Sequence, residues 1–196
     1  MPNRSTIRTK KAIKHAFSEL IEEKGLETLT VSDIARSAGI NRGTFYLHYV
    51  DKDDLKQQLE KESIVALREI LFNVKSQDPD DPIEVIPYEG IVEGLRYLRD
   101  DLAFIKAIIG PHGDRAFLSG FRESLGEMIE KQISSSSSKL HFAMKDFPRD
   151  YAMQIMLAGI VAVVELWITK GAVEPPEEIA RMIHISRQVA PYEFLK

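Results

Sequence analysis

The feature that most constrains the fold is a helical spacing of apolar residues that recurs along the chain. In the first such segment the apolar positions are Ile13, Ala16, Phe17, Leu20 and Ile21. Intervals of three and four residues place these side chains on one face of an α-helix, whereas strands would need strict alternation. Alternating patterns are nearly absent, so the 196-residue chain is predicted to be all-α, with about nine helices.

Start and stop signals divide the N-terminal part into four predicted helices. Gly25 and Gly39 each follow an apolar periodic segment, as residues that end helices commonly do. Thr30 opens a capping-box pattern, while Asn41 and Asp51 are suitable N-caps for a short third helix and a long fourth one. The fourth helix is predicted to run to about residue 74.

A Pro- and Asp-rich break at residues 77–82 precedes a larger helical part. Its predicted helices are residues 87–101, 102–109, 116–134, 148–170 and 176–189. Residues 134–138 are all serine and are predicted to be a helix end or a mobile loop. We place an N-terminal domain at residues 1–58 and a larger domain at residues 59–196, with the boundary inside the fourth helix.

Composition excludes some chemistry and locates the charge. The chain has no cysteine, which excludes disulfides, thiolate catalysis and cysteine zinc sites. The net charge is −4, yet residues 1–58 carry 10 basic and 8 acidic side chains, and residues 1–14 carry five basic and no acidic ones. This asymmetry suggests nucleic-acid contact, although a solvated basic tail gives the same pattern.

No membrane segment is expected. Residues 1–14 lack the apolar core of a signal peptide. The most apolar stretch, residues 152–168, is interrupted by polar side chains and is shorter than the roughly 20 residues of a typical bilayer span. We interpret it as a buried helix, and we expect a cytoplasmic protein.

The third helix presents an unusual outward face. Phe45 and Tyr49 lie one turn apart and define its core side, so the opposite side is centred on Gly43 and Leu47. Glycine permits close backbone approach, and a leucine can pack against a thymine methyl group in a major groove. The sequence thus predicts a helix-turn-helix, although two capped helices around a glycine turn also occur without DNA binding.

The run LTVSDIARSAGINRGTFYLHYVDKDDL (residues 29–55) resembles the DNA-binding domain of TetR/AcrR-family bacterial transcription regulators, and the similarity extends over residues 11–59. The resemblance implies that residues 1–58 are a three-helix DNA-binding domain and that residues 59–196 are a larger regulatory domain for ligand binding and dimerisation. It also implies homodimers on palindromic double-stranded operators. Leu47 and Val50 depart from the family pattern. The predicted DNA-contacting residues are Thr30, Ser32, Asn41, Arg42, Gly43, Thr44, Tyr46, Leu47, His48 and Lys52.

The C-terminal part supports weaker predictions. The helix at residues 148–170 is apolar nearly all round, so we expect it to be buried on more than one side. By the resemblance, the last two helices form the dimer interface; the alternative is the core of a monomer. The interface is predicted to include Ala158, Gly159, Ala162, Ile179, Met182 and Ile183. An effector pocket is predicted from Tyr88, Phe104, Phe121, Met128, Met156 and Trp167, all of which are equally compatible with core packing.

Three functions remain open on the sequence. The first is a repressor that a small-molecule effector of unknown identity releases from its operator. The second is a DNA-binding activator, or a regulator controlled by a protein partner. The third is an all-α enzyme, but no catalytic constellation is present. The five histidines show no metal-ligand spacing, so no catalytic residue, metal or cofactor is expected; His112 suits either a ligand sensor or a surface turn.

Overall fold

The computed structural model describes residues 4–73, 86–135 and 148–186. Every regular element in these ranges is an α-helix, which confirms the predicted all-α class. The described residues form nine helices: α1 (Arg4–Lys24), α2 (Val31–Ser37), α3 (Arg42–Tyr46), α4 (Lys52–Asn73), α5 (Tyr88–Asp100), α6 (Leu102–Ile109), α7 (Arg115–Ser135), α8 (Arg149–Thr169) and α9 (Pro176–Ser186).

The helix limits follow the sequence signals closely, with one correction at α3. The sequence prediction placed Tyr49 on that helix together with Phe45, but the helix ends at Tyr46 with Leu47 as its C-cap. The chain then turns, and Asp51 caps α4 by accepting a hydrogen bond from the backbone N–H of Asp54 at 2.8 Å. The predicted ends of α4 at 74 and of α9 at 189 lie outside the described residues, as do serines 136–138.

The chain divides into two compact units. The first comprises Met1–Ile64 and Asp101–Phe117, and the second comprises Val65–Asp100 and Leu118–Lys196. The first unit therefore includes α6 in addition to the N-terminal helices, so it is not a continuous stretch of sequence. The predicted domain boundary after residue 58 stays a prediction.

In the first unit, α1 packs against both α2 and α6, and α2 packs against α3. The side chains that face inward are almost wholly excluded from solvent: Ile13, Phe17, Ile21, Leu29, Ile34, Phe45, Leu55, Phe104 and Ile108. Each fully buried side chain of this size stabilises the fold by about 1.5–3 kcal/mol. Phe45 thus anchors one side of α3 in this core, and the opposite side of the helix is exposed.

In the second unit, α9 packs against α5 and α8. The buried residues of α8 are Met153, Leu157, Val161, Trp167 and Ile168, whereas Tyr151, Ile155 and Leu166 are exposed. The expectation that α8 is buried on more than one side is therefore not met within a single chain, because no helix of the described ranges covers its other side. By length and hydropathy alone α8 would also suit a membrane span, a property shared by core helices.

Candidate nucleic-acid interface

The start of α2 is fixed by a reciprocal capping box. The Thr30 hydroxyl accepts a hydrogen bond from the Asp33 N–H at 3.2 Å, and the Asp33 carboxylate accepts from the Thr30 N–H at 3.2 Å and from its hydroxyl at 2.8 Å. The Thr30 side chain and then the Lys24 ammonium stabilise the carboxylate, which lowers the pKa of Asp33 from 3.8 to about 2. Two of the N–H groups at this helix start, those of Thr30 and Asp33, are thereby satisfied.

The turn and the second cap orient α3. Gly39 adopts a φ of +66°, in the left-handed region that glycine tolerates without strain. Asn41 then caps α3: its Oδ1 accepts from the backbone N–H of Thr44 at 2.7 Å and from the Thr44 hydroxyl at 3.1 Å. With Asp51, all three N-caps named from the sequence are confirmed, so Thr30 and Asn41 have structural roles in addition to their predicted contact with DNA.

The outward side of α3 exposes apolar and aromatic side chains beside the charged Arg42. Phe45 is wholly buried, while the Leu47 side chain is 81% exposed and that of Tyr46 is 49% exposed. Gly43 is also exposed, and a Cβ there would come within 3.2 Å of Asn41 Oδ1, so glycine leaves room for the cap. These residues lie on the exposed side where the sequence placed them, and their contact with DNA stays a prediction.

Arg42 and Tyr46 form a pair on this surface. An Arg42 guanidinium N–H donates to the Tyr46 hydroxyl at 3.2 Å, and the guanidinium carbon lies 5.9 Å from the centroid of the tyrosine ring. The contact restricts a long, flexible side chain to one side of α3. A guanidinium held in this way retains free N–H groups that suit a phosphate or the acceptor edge of guanine.

Lys52 has a role that the sequence did not reveal. Its ammonium donates to the backbone carbonyls of Leu26 and Glu27, each at 2.9 Å, and so ties the start of α4 to the loop between α1 and α2. An ammonium has three N–H donors, so one stays available for a phosphate. The other predicted contacts, Ser32 and His48, are exposed and half-buried respectively.

The turn between α6 and α7 belongs to the first unit and is bonded to its N-terminal part. The Leu26 N–H donates to the His112 carbonyl at 2.9 Å, and the Lys56 ammonium is hydrogen-bonded to the Asp114 carboxylate. The Lys56 contact lowers the pKa of Asp114, whereas burial raises the pKa of the neighbouring Glu60. These partners are more than 50 residues apart in sequence, so no local signal could have paired them.

Two family models match the chain. The tetR-family model of bacterial regulatory proteins matches residues 13–59, which contain the helix-turn-helix, and a TetR model of the transcriptional regulator C-terminal region matches residues 87–188. The second match alone covers more than half of the chain. This chain belongs to the TetR family. It is a TetR-family transcriptional regulator with a DNA-binding helix-turn-helix, as the sequence predicted.

Individual relatives are similar over shorter stretches. The transcriptional regulator YxbF of Bacillus subtilis is 39% identical over 66 residues, which are 33% of this chain and 17% of that protein. The transcriptional repressor BepR of Brucella suis is 29% identical over 93 residues, 47% of this chain and 44% of BepR. The matched stretches thus span less than half the length of either relative.

The fold is similar over nearly the whole chain to that of a solved regulator. The structure of FadR from Bacillus subtilis in complex with stearoyl-CoA aligns with a TM-score of 0.60 at 20% identity. The alignment covers 90% of this chain and 96% of FadR. At this identity the likeness concerns the TetR fold alone.

The predicted pocket residues do not line one cavity. The second unit has an apolar cavity of about 40 Å³, and of the six predicted residues only Phe121 lines it. Phe104 lies in the first unit, with its ring centroid 4.6 Å from the Lys14 ammonium, and Trp167 is buried with its indole N–H bonded to the Glu174 carbonyl. The cavity lining is Leu67, Leu71, Ile86, Ile91, Gly94, Leu95, Leu98, Phe121, Leu125, Ile160, Val164 and Ile183.

Tyr88, Met128 and Met156 are only partly buried and lie outside that lining. The predicted interface residues also divide. Ala158, Gly159, Ala162 and Met182 are exposed, but Ile179 and Ile183 belong to the core of this chain. Contacts of these residues with an effector or a second subunit stay predictions.

Proposed function

We propose that this TetR-family regulator is a dimeric repressor that reads a palindromic operator through α3 and is released by a small-molecule effector. The observation that carries DNA reading is the surface of α3, where Tyr46 and Leu47 are exposed while Phe45 anchors the helix in the core. In a major groove, a leucine can pack against a thymine methyl group and a tyrosine hydroxyl can hydrogen-bond to a base edge.

The repressor role draws on the similarity to BepR, which is named as a transcriptional repressor. A repressor acts by occupying its operator, and in each subunit α3 and its supporting helices would contact one half-site. We propose that the protein acts in the cytoplasm, where bacterial DNA is located, and that it is not an enzyme.

Dimerisation is proposed from the uncovered side of α8. Tyr151, Ile155 and Leu166 are large apolar side chains exposed on this helix, and Met182 is exposed on α9. An exposed apolar patch commonly marks a protein interface. Ala158, Gly159 and Ala162 on α8 are exposed as well and would allow a second α8 to approach closely.

Equilibrium sedimentation tests the dimer. We expect the wild type to sediment as a dimer at micromolar concentration, and we expect Gly159→Glu to sediment as a folded monomer because it places a charge in the contact. Gly120→Glu is the matched control, since Gly120 is a helical glycine with no atom within 4 Å of an added Cβ. A monomeric wild type would contradict the proposal.

The effector is proposed to carry an apolar portion. The cavity of the second unit is lined by apolar residues throughout, and FadR is described in complex with stearoyl-CoA. A volume of about 40 Å³ holds no more than a few small atoms, so an effector must widen the cavity. α4 lines the cavity with Leu67 and Leu71 and continues from the first unit into the second, so it would carry the signal.

Selection of bound genomic fragments tests operator binding directly and yields the palindrome. Tyr46→Ala should then weaken binding to the selected operator while the protein still folds, because about half of Tyr46 is already exposed. Operator binding equal to that of the wild type would contradict the assignment of α3. Failure of the wild type to retain any fragment at low salt would favour the enzyme alternative instead.

A further inference from the structure

α1 begins with a stripe of exposed cations. Arg4, Arg8 and Lys11 are all exposed and follow the spacing i, i+4 and i+7, which places them on one side of the helix. None of the three forms an ion pair with a residue in the described ranges 4–73, 86–135 and 148–186. We call these three residues the α1 stripe.

The neighbouring lysines of α1 behave differently, because both interact within the first unit. The Lys10 ammonium lies 3.8 Å from the Glu62 carboxylate and 5.5 Å from the centroid of the Tyr49 ring. Lys14 is bonded to the Asp101 carboxylate. The five basic residues at the N-terminus therefore separate into two that hold the fold and three that contribute nothing visible to it.

The α1 stripe also opposes the helix dipole. The N-terminal end of a helix carries partial positive charge, so cations there are unfavourable and acidic residues are favourable. The first turn of α1 has no acidic residue, and Glu19 and Glu22 occur only towards the other end, where they are exposed. Helix stability therefore gives no reason for the stripe, whereas a bound polyanion does.

Within the first unit, the half of α1 that carries the stripe is linked to α3 through Tyr49. Lys10 contacts the ring of Tyr49, and that ring lies 5.6 Å from the ring of Phe45 in α3. From Arg4 to Lys11 the helix rises about 10 Å. Phosphates on one DNA strand advance about 3.4 Å along the axis per nucleotide, so a segment of this length spans about three nucleotide steps, enough for each of the three cations to reach a phosphate of its own.

We propose that Arg4, Arg8 and Lys11 form a second DNA contact, which binds the phosphates of the backbone beside the groove that α3 occupies. This inference rests on the proposed DNA binding and extends it to a surface outside the helix-turn-helix. Phosphates carry no sequence information, so the α1 stripe strengthens binding to every duplex equally and leaves the choice of operator to α3.

The test compares two triple variants by the salt dependence of their DNA affinity. The first is Arg4→Gln with Arg8→Gln and Lys11→Gln. The matched control is Arg68→Gln with Arg99→Gln and Lys131→Gln, which removes the same charge from exposed positions in the second unit. The probes are the operator recovered by genomic selection and a duplex of unrelated sequence.

We expect the stripe variant to reduce the slope of log affinity against log salt by about 0.9 for each phosphate that is no longer bound, or about 2.7 per chain. Its affinity should fall by the same factor on both probes. Its melting temperature should not fall, because the variant removes cations that interact unfavourably with the N-terminal end of the α1 dipole. The control variant should keep the wild-type slope. An unchanged slope in the stripe variant, or an equal reduction in the control, would overturn the proposal.

Two further outcomes would contradict the proposal for different reasons. If the stripe variant binds both duplexes like the wild type but no longer binds vesicles containing phosphatidylserine, the stripe serves a membrane surface and the proposal is wrong. If the wild type itself binds neither duplex at low salt, the proposed function fails, and the α1 stripe fails with it. If the stripe variant binds DNA more weakly and the control variant binds like the wild type, the second DNA contact is supported.

Discussion

Leu47 offers a test of how this regulator reads its operator, because its side chain can be removed with little effect on the fold. With 81% of the residue exposed, only about a fifth of it is packed. Full burial of a leucine is worth about 1.5–3 kcal/mol, so Leu47→Ala should cost the fold about 0.5 kcal/mol or less. By contrast, Phe45→Ala empties a wholly buried site and should cost about 3–5 kcal/mol.

On DNA, Leu47 is predicted to pack against the methyl group of a thymine. Burial of one methylene-sized group is worth about 0.8 kcal/mol, so the methyl contact should contribute about 1 kcal/mol per half-site. That corresponds to about a fivefold change in affinity, or about thirtyfold when both half-sites of a palindrome are altered. Deoxyuridine lacks only this methyl group, so it removes the contact from the DNA side.

The assay is a double-mutant cycle in competition binding at one salt concentration. Each thymine of the selected operator is replaced in turn by deoxyuridine, and each duplex is tested against the wild type and Leu47→Ala. At one thymine per half-site the replacement should weaken the wild type and leave the variant unaffected. Val50→Ala, which removes another exposed apolar side chain, should keep the wild-type penalty. Equal penalties in the wild type and Leu47→Ala at every thymine would refute the contact.

Three further predictions concern the first unit. Thr30→Ala should lower the free energy of unfolding by about 1 kcal/mol through loss of the α2 cap, measured by urea denaturation, while Thr30→Ser should retain most of it. The folded-state pKa of Asp33 is lowered from 3.8 to about 2, so its contribution to stability is complete above pH 4 and is lost as the pH falls towards 2. Asp33→Asn should therefore narrow its stability gap to the wild type over that range; a constant gap would show the carboxylate to be unimportant. Gly113→Ala would place a Cβ 2.1 Å from the Ile108 carbonyl oxygen and should cost at least about 1–3 kcal/mol, whereas Gly120→Ala, which meets nothing, should be neutral or stabilising in thermal melts.

The helix limits of the first unit were predictable from sequence because each depends on neighbours within four residues. Thr30, Asn41 and Asp51 each accept a backbone hydrogen bond from the residue three positions later. The spacing alone therefore specifies the cap. The buried and exposed sides of α3 follow in the same way from the helical period, even though the helix itself ends at Tyr46.

Contacts between distant residues were not predictable, because the partner is chosen by how the helices pack. Lys52 was predicted to bind phosphate, yet its ammonium is engaged by carbonyls 25 and 26 residues earlier. Phe104 was assigned to an effector pocket, yet it packs in the first unit beside Lys14. An apolar side chain signals burial, but the sequence does not say in which core.

The α1 stripe combines both kinds of information. The sequence by itself determined that the N-terminal residues are basic, that a helical apolar period begins at Ile13, and that a helix-turn-helix follows; only the structure extends α1 back to Arg4. Only the tertiary structure decided which of those cations are already paired, because Glu62 and Asp101 reach Lys10 and Lys14 from segments distant in sequence. The charge is encoded locally, and its availability to a ligand depends on what the fold brings beside it.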